Sequence, residues 1–263
     1  MKVAAILQEI IEQRLKRLAL ETGATATACG EDVGLFGEEQ PFLAALHGAE
    51  GPAIIAEVKL GSPRLGSLVD RIDPAAQASL YAEGGAAALS VVVEPDFFHG
   101  SYDLLRRAKG ASGLPAIAKD FVVDDRQLHW AREAGADAVL LIASLMEPAE
   151  LRRRAALARS LGLVPLVETH DREDLARLAG ADWELVGVNN RDLTTFEVDI
   201  GRSIDLLPHL PSGALPVAES GLAGGEAVAR LAMAGFRAFL VGESLLLADD
   251  PAAKLAELRG VAP

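Results

Sequence analysis

The sequence predicts an α/β fold, a closed (β/α)8 TIM barrel with an N-terminal helical extension, and three observations carry that expectation. Eight short apolar runs are spread over 263 residues, each followed by a helix-patterned stretch. The runs are continuously apolar rather than alternating, which suits a parallel sheet covered on both faces. A phrase also recurs in which small residues and a glycine end a helix and an apolar strand follows. It reads AEGGAAALSVVV (82–93), REAGADAVLLIA (132–143), RLAGADWELVGV (177–188) and AMAGFRAFLVGE (232–243). Its glycines, Gly85, Gly135, Gly180 and Gly235, suit helix C-termini, where a positive φ is needed.

Taken in order, residues 1–20 carry apolar positions every three or four residues and read as an amphipathic helix. The first 50 residues form an extension with one or two helices packed on the barrel. The first strand is AIIAEV (53–58), and LPAIAK (114–119), LVPLVE (163–168) and LPVAES (215–220) alternate with the four phrases. Helices are expected near 74–83, 102–109, 124–134, 148–161, 171–179, 202–208, 224–234 and 251–259. Asp73-Pro74 and Asp250-Pro251 are N-cap and first-turn pairs. No linker or composition break interrupts the series. Residues 1–263 therefore read as one domain, with the extension at 1–50 and the barrel at 51–263. Even spacing and a count of eight favour closure over an open doubly wound sheet.

Half of the residues are apolar, enough for a large core. Lys plus Arg number 25 against 38 Asp plus Glu, a formal charge of −13. That balance argues against nucleic acid or an anionic membrane as partner, and leaves open a small anionic substrate held by a local field. Cys29 is the lone cysteine, so no intramolecular disulfide forms. The charged start is unlike a secretory leader, and no run of 18 apolar residues exists. A cytoplasmic protein acting on a small molecule is expected, as a monomer or an oligomer.

In this architecture the chemistry lies at the C-terminal ends of the strands. Strand 1 ends in Glu57-Val58-Lys59, strand 3 in Lys119-Asp120-Phe121 and strand 5 in Glu168. Strand 6 runs into Asn189-Asn190-Arg191-Asp192, strand 7 into Glu219-Ser220-Gly221 and strand 8 into Gly242-Glu243-Ser244. Glu57 and Lys59, two residues apart, point to one face. If that face is the interior, Lys59, Lys119 and Arg191 meet Glu57, Glu168 and Glu219 in one pocket. A lone strand-end lysine is commonly a solvated rim charge, and a lone glutamate half of a structural ion pair. Six on the rim that barrels use for catalysis reverse that weighting. Burial set against pairing then supplies an acid and a base near neutral pH. His170 and His209 read as surface residues near helix ends, His129 and Trp130 as helix body, and Glu94 as a residue that holds its loop.

The turns at Ser220-Gly221 and Gly242-Glu243-Ser244 lead into helices after strands 7 and 8, a frequent place for a phosphate. Lys59 and Ser62 complete that site from strand 1, the neighbour of strand 8.

Six segments in order resemble the indole-3-glycerol phosphate synthase family: IIAEVKLGSPRLG (54–66), VEPDFFHGSYDLL (93–105), AKDFVVDDRQLHWAREAGADAVLLIA (118–143), LVETHDREDL (166–175), VGVNNRDLTTFEVDI (186–200) and VAESGL…FLVGESLLLADDP (217–251). The resemblance implies ring closure of 1-(2-carboxyphenylamino)-1-deoxyribulose 5-phosphate with loss of CO2 and water, using no cofactor and no metal. It implies Lys119 as general acid, Glu168 as base, Lys59 as second acid and Glu57 as the partner that orients Lys119. Asn189 and Arg191 position the intermediate, and Glu219 and Ser220 complete the polar floor. Phe98, Phe121, Leu140 and Leu193 wall the aromatic ring. Ser62, Gly221, Gly242, Glu243 and Ser244 join Lys59 around the phosphate. The chain departs from the family pattern at Gly61 and Arg64, where the motif usually reads Lys-x-x-Ser-Pro-Ser, at Ala118 and at Val93. Gly61 is expected to loosen the loop after strand 1, and Arg64 to add a charge to it. The competing readings are a phosphoribosylanthranilate isomerase-like or other sugar-phosphate barrel, which does not need Lys59, Lys119 and Glu168 together, and a non-catalytic binding relative.

Overall fold

The computed structural model describes residues 5–21, 34–37, 39–192, 195 and 197–261. Eight parallel strands close into a barrel: β1 (Ala53–Val58), β2 (Ala88–Val92), β3 (Ala116–Lys119), β4 (Ala138–Ile142), β5 (Val164–Thr169), β6 (Leu185–Asn189), β7 (Leu215–Glu219) and β8 (Ala238–Val241). β8 returns to β1 in a register running from Ala53↔Ala238 to Ala56↔Val241. Helices α1 (Ala5–Leu20) and α2 (Pro41–His47) precede the barrel. Then α3 (Pro74–Glu83), α4 (Tyr102–Ser112), α5 (Arg126–Glu133), α6 (Pro148–Ser160), α7 (Arg172–Arg177), α8 (Gly201–Leu206) and α9 (Gly225–Ala234) alternate with the strands, and α10 (Glu243–Leu246) and α11 (Pro251–Arg259) follow β8. The Asp73 side chain accepts the Ala75 N–H at 3.0 Å and the Asp250 side chain those of Ala252 and Ala253 at 3.0 Å, as N-caps do. Gly85, Gly135, Gly180 and Gly235 all have positive φ, at or just past helix ends.

The continuous apolar runs have a simple cause. Alternate residues of each strand enter two different cores. Ile54, Ala56, Leu89, Val91, Val139, Leu141, Val186 and Phe239 pack outward against the helices. Ile55, Ala88, Ile117, Leu140, Leu166, Leu185, Val217 and Leu240 fill the interior. Phe42, Leu43 and Leu46 of α2 belong to the interior cluster and stop the barrel at the N-terminal ends of its strands. Gln40 donates to the Asp137 carbonyl there at 3.0 Å. α1 binds the opposite rim. Arg14 pairs with Asp120 at 2.6 Å with both side chains buried, and Arg17 pairs with Asp96.

A short hairpin after β1, Gly61–Ser62 against Gly66–Ser67, was not expected. Gly61 does not loosen this loop. It is paired and buried, and a Cβ there would press on the His99 ring and the Gly66 carbonyl. No helix among the described residues is long and apolar enough to cross a membrane.

Candidate active site

Strand parity that sends Ile55, Ile117, Leu166, Leu185, Val217 and Leu240 inward also sends in the residues two positions further along: Glu57, Lys119, Glu168, Gly187, Glu219 and Gly242. The apolar interior therefore ends in a polar layer at the C-terminal mouth. Lys119 Nζ donates to Glu57 Oε2 at 2.9 Å, and Lys59 Nζ to Glu57 Oε1 at 2.6 Å. One carboxylate thus holds both ammonium groups. Across the pocket, Asn189 Nδ2 donates to Glu168 Oε1 at 3.1 Å. Glu219 reaches the same carboxylate by leaning over Gly187, the neighbour of Glu168 in the β5–β6 register. A Cβ on Gly187 would occupy the place of a Glu219 carboxyl oxygen, and one on Gly242 that of a Glu57 oxygen. Both glycines give up side chains so that the carboxyl groups have room.

The electrostatics separate the three carboxyl groups. Burial pushes Glu57 up, but Lys119 and Lys59 outweigh it and hold Glu57 at about 2. Burial likewise opposes ionisation of Glu168, and His170, Lys119 and Asn189 bring it down to about 2. Glu219 is driven well above the carboxylate range by burial and by the adjacent Glu168 charge, with Lys119 opposing only in part. Burial would lower Lys119, yet the charges of Glu57, Glu219 and Glu168 carry it above the ordinary lysine value. The surroundings thus favour the charged form of Lys119 and the ionised forms of Glu57 and Glu168, and the protonated form of Glu219.

The rim supplies the rest. Arg191 stands half-buried near Glu243 at 3.9 Å, and Glu243 also pairs with Arg64 from the hairpin loop. Burial and the charge of Arg64 lower Arg191 from its usual value. Ser220 adopts a left-handed φ of 65°, and Asn190 Nδ2 holds its carbonyl at 3.1 Å. The Ser62 hydroxyl accepts the Leu65 N–H at 3.1 Å, and the Ser244 hydroxyl donates to the Leu222 carbonyl at 2.8 Å. Glu243 and Ser244 thus present backbone N–H groups, in the first turn of α10, rather than side chains. Phe98 and Phe121 stand at the mouth with ring centroids 6.1 Å apart, and Leu140 is buried in the interior core. Leu193 lies outside the described residues. Glu94 holds its loop as expected, accepting the N–H groups of Asp96, Phe97 and Phe98 at 2.8–3.0 Å.

His170 corrects the sequence reading. It is buried, not a surface residue, with Nε2 3.1 Å from Glu168 Oε1 and Nδ1 3.1 Å from Asp174 Oδ2. The signal was available: His170 is two residues beyond inward-facing Glu168 and four before Asp174. His209 is exposed, at the end of a short turn.

Comparison with known proteins agrees with this geometry. The family model for indole-3-glycerol phosphate synthase matches residues 7–258. The indole-3-glycerol phosphate synthase of Polaromonas sp. (strain JS666) is 42% identical over 260 residues, covering 99% of this chain and 97% of that protein. That of Albidiferax ferrireducens is 46% identical over 220 residues, 82% of this chain and 83% of that protein. Among solved structures, 3-hexulose-6-phosphate synthase from Salmonella typhimurium superposes with a TM-score of 0.61 at 15% identity, over 79% of this chain and 97% of that one, a likeness of fold alone. The matched span carries the whole barrel and its polar mouth, and the chain belongs to the indole-3-glycerol phosphate synthase family.

Proposed function

We propose that this chain closes the indole ring of indole-3-glycerol phosphate from 1-(2-carboxyphenylamino)-1-deoxyribulose 5-phosphate, releasing CO2 and water. One juxtaposition supports the reading above all. A lysine kept charged by Glu57 shares a buried pocket with a carboxylate kept ionised. Lys119 protonates the ketone oxygen, and the ring carbon bearing the carboxylate attacks the activated carbonyl carbon. Loss of CO2 returns its electron pair to the ring and restores aromaticity. Glu168 then removes the proton on the carbon next to the new alcohol, and Lys59 protonates the departing hydroxyl as water. Both are general acid–base steps.

Asn189 holds Glu168 in place. Arg191 positions the intermediate, while Glu219 and Ser220 form the floor. The ring lies between Phe98, Phe121 and Leu140. The phosphate meets Lys59, Ser62 and the backbone N–H groups of Gly221, Gly242, Glu243 and Ser244. All these groups come from one chain, so the site takes no residue from a partner. A cytoplasmic setting keeps Cys29 reduced.

Fluorescence-monitored formation of the indole product tests this. The parent is expected to turn over, and Lys119→Ala and Glu168→Gln each to lose at least about a hundredfold in kcat. A folded parent that binds the substrate and makes no indole refutes the synthase reading.

A further inference from the structure

We propose that His170 is a positioning residue: clamped between Asp174 and Glu168, its imidazole fixes the Glu168 carboxylate and leaves the proton of the Glu168–Glu219 pair on Glu219. The proposal rests on the reading of Glu168 as the base of this site, and extends it to the groups that make it one.

The clamp is local and buried. Asp174 Oδ2, in the first turn of α7, accepts both the His170 backbone N–H at 2.9 Å and the ring at Nδ1. Asp171 caps the same turn by accepting the Asp174 N–H at 2.9 Å. Asp174 is wholly buried, so the ring cannot swing away without stranding a carboxylate. The other ring nitrogen faces Glu168. A neutral imidazole has one N–H, and would turn a lone pair toward one of the two carboxylates. Between two carboxylates the ring holds both protons.

The groups facing the ring from its neighbours carry both signs, with the two carboxylates on the ring nitrogens themselves. Glu168 faces it from β5, with Lys119 and Glu219 behind it. Asp174 faces it from α7, with Arg177 Nε 3.9 Å from the other Asp174 oxygen. From α8, Arg202 donates to the His170 carbonyl at 3.3 Å, beside Asp192. Burial would lower the ring, but Asp174 and Glu168 raise it to about 10.

The asymmetry decides the pair. Glu168 and Glu219 meet over Gly187, and two adjacent buried carboxyl groups do not both ionise. Glu168 Oε1 has the His170 ring nitrogen 3.1 Å away and accepts the Asn189 amide at 3.1 Å. Glu219 has no donor on either oxygen among the described residues. The proton therefore rests on Glu219, which donates to Glu168, and Glu168 is left as the base.

The test uses the intact protein in two ways. Steady-state kinetics from pH 5 to 9 compare the parent with His170→Asn and Asp174→Asn. The expected result for His170→Asn is a kcat about tenfold or more lower at pH 7, with KM little changed and the acid limb of the kcat profile moved up by about one unit or more. Asp174→Asn moves the limb the same way by less. A lower kcat with an unmoved limb marks a merely structural role and overturns the proposal. Independently of turnover, 15N NMR of histidine-labelled parent reads the ring directly, with the signal identified by its loss in His170→Asn or its displacement in Asp174→Asn. Both nitrogens are expected to be protonated at pH 7. A neutral ring at that pH overturns the proposal whether or not the parent turns over.

Discussion

At the scale of residues, the three carboxyl groups of the pocket share a depth and differ in charge because of what faces them. Glu57 faces two ammonium groups, Glu168 an imidazole and an amide, and Glu219 the Glu168 charge, which the Lys119 charge offsets only in part. A stability consequence follows for Glu219. Its unfolded carboxyl ionises near the ordinary value while burial and the Glu168 charge hold the folded one above it, so above the ordinary carboxyl range folding favours proton uptake. The sign is then fixed: this group favours the folded state below the ordinary carboxyl range, and that contribution is lost as pH rises. Glu219→Gln, neutral at every pH, is expected to be more stable than the parent at pH 8, by a margin that shrinks at pH 5. Urea denaturation at the two pH values measures this, and an equal or smaller stability at pH 8 contradicts the assignment. The same substitution is expected to lower turnover.

At the scale of elements, α1 is tied to the catalytic rim by a buried ion pair. Asp120 directly follows Lys119, and it accepts Arg14 at 2.6 Å and Gln127 Nε2 at 2.8 Å. Arg126 adds a bond to the Glu21 carbonyl at 3.0 Å. The helix therefore braces the segment that carries the acid. Arg14→Met leaves the buried Asp120 charge short of its partner and is expected to cost about 3–5 kcal/mol of stability. A denaturation midpoint within error of the parent would show that the brace carries no load. Sequence alone does not expose this pair: Arg14 and Asp120 are 106 residues apart, and an arginine in an amphipathic helix looks like an ordinary solvated charge. The hairpin after β1 was hidden for a similar reason, since its two-residue strands are too short to show periodicity.

At the scale of the molecule, closure of the barrel makes the mouth a ring of mutually dependent charges. Glu57 and Glu168 are each lowered to about 2, so their contribution to stability is present above the ordinary carboxyl range and disappears as pH falls toward 2. His170, raised to about 10, contributes fully below its ordinary value near 6.5 and loses that contribution as pH rises through 10. Circular dichroism at fixed temperature is expected to show unfolding between about pH 4 and pH 2 and a weaker fold above about pH 10. A midpoint of acid unfolding above pH 5 contradicts the ion pairs described for the pocket.

The sequence by itself determined the barrel, its eight strands, the order of its helices and the strand ends that carry chemistry. These are encoded locally, in apolar runs, glycines at helix ends, N-caps and two-residue parity. The inward set of Glu57, Lys119, Glu168 and Glu219 follows from that parity. Only the tertiary structure decided which charges are shared: that Glu57 takes both lysines, that Glu219 leans over Gly187 onto Glu168, and that His170 turns inward to Asp174. The reason is physical. Backbone propensity and hydrophobic pattern act over a few residues, whereas the charge of a buried group is set by its neighbours in space, which closure of the barrel brings from distant strands.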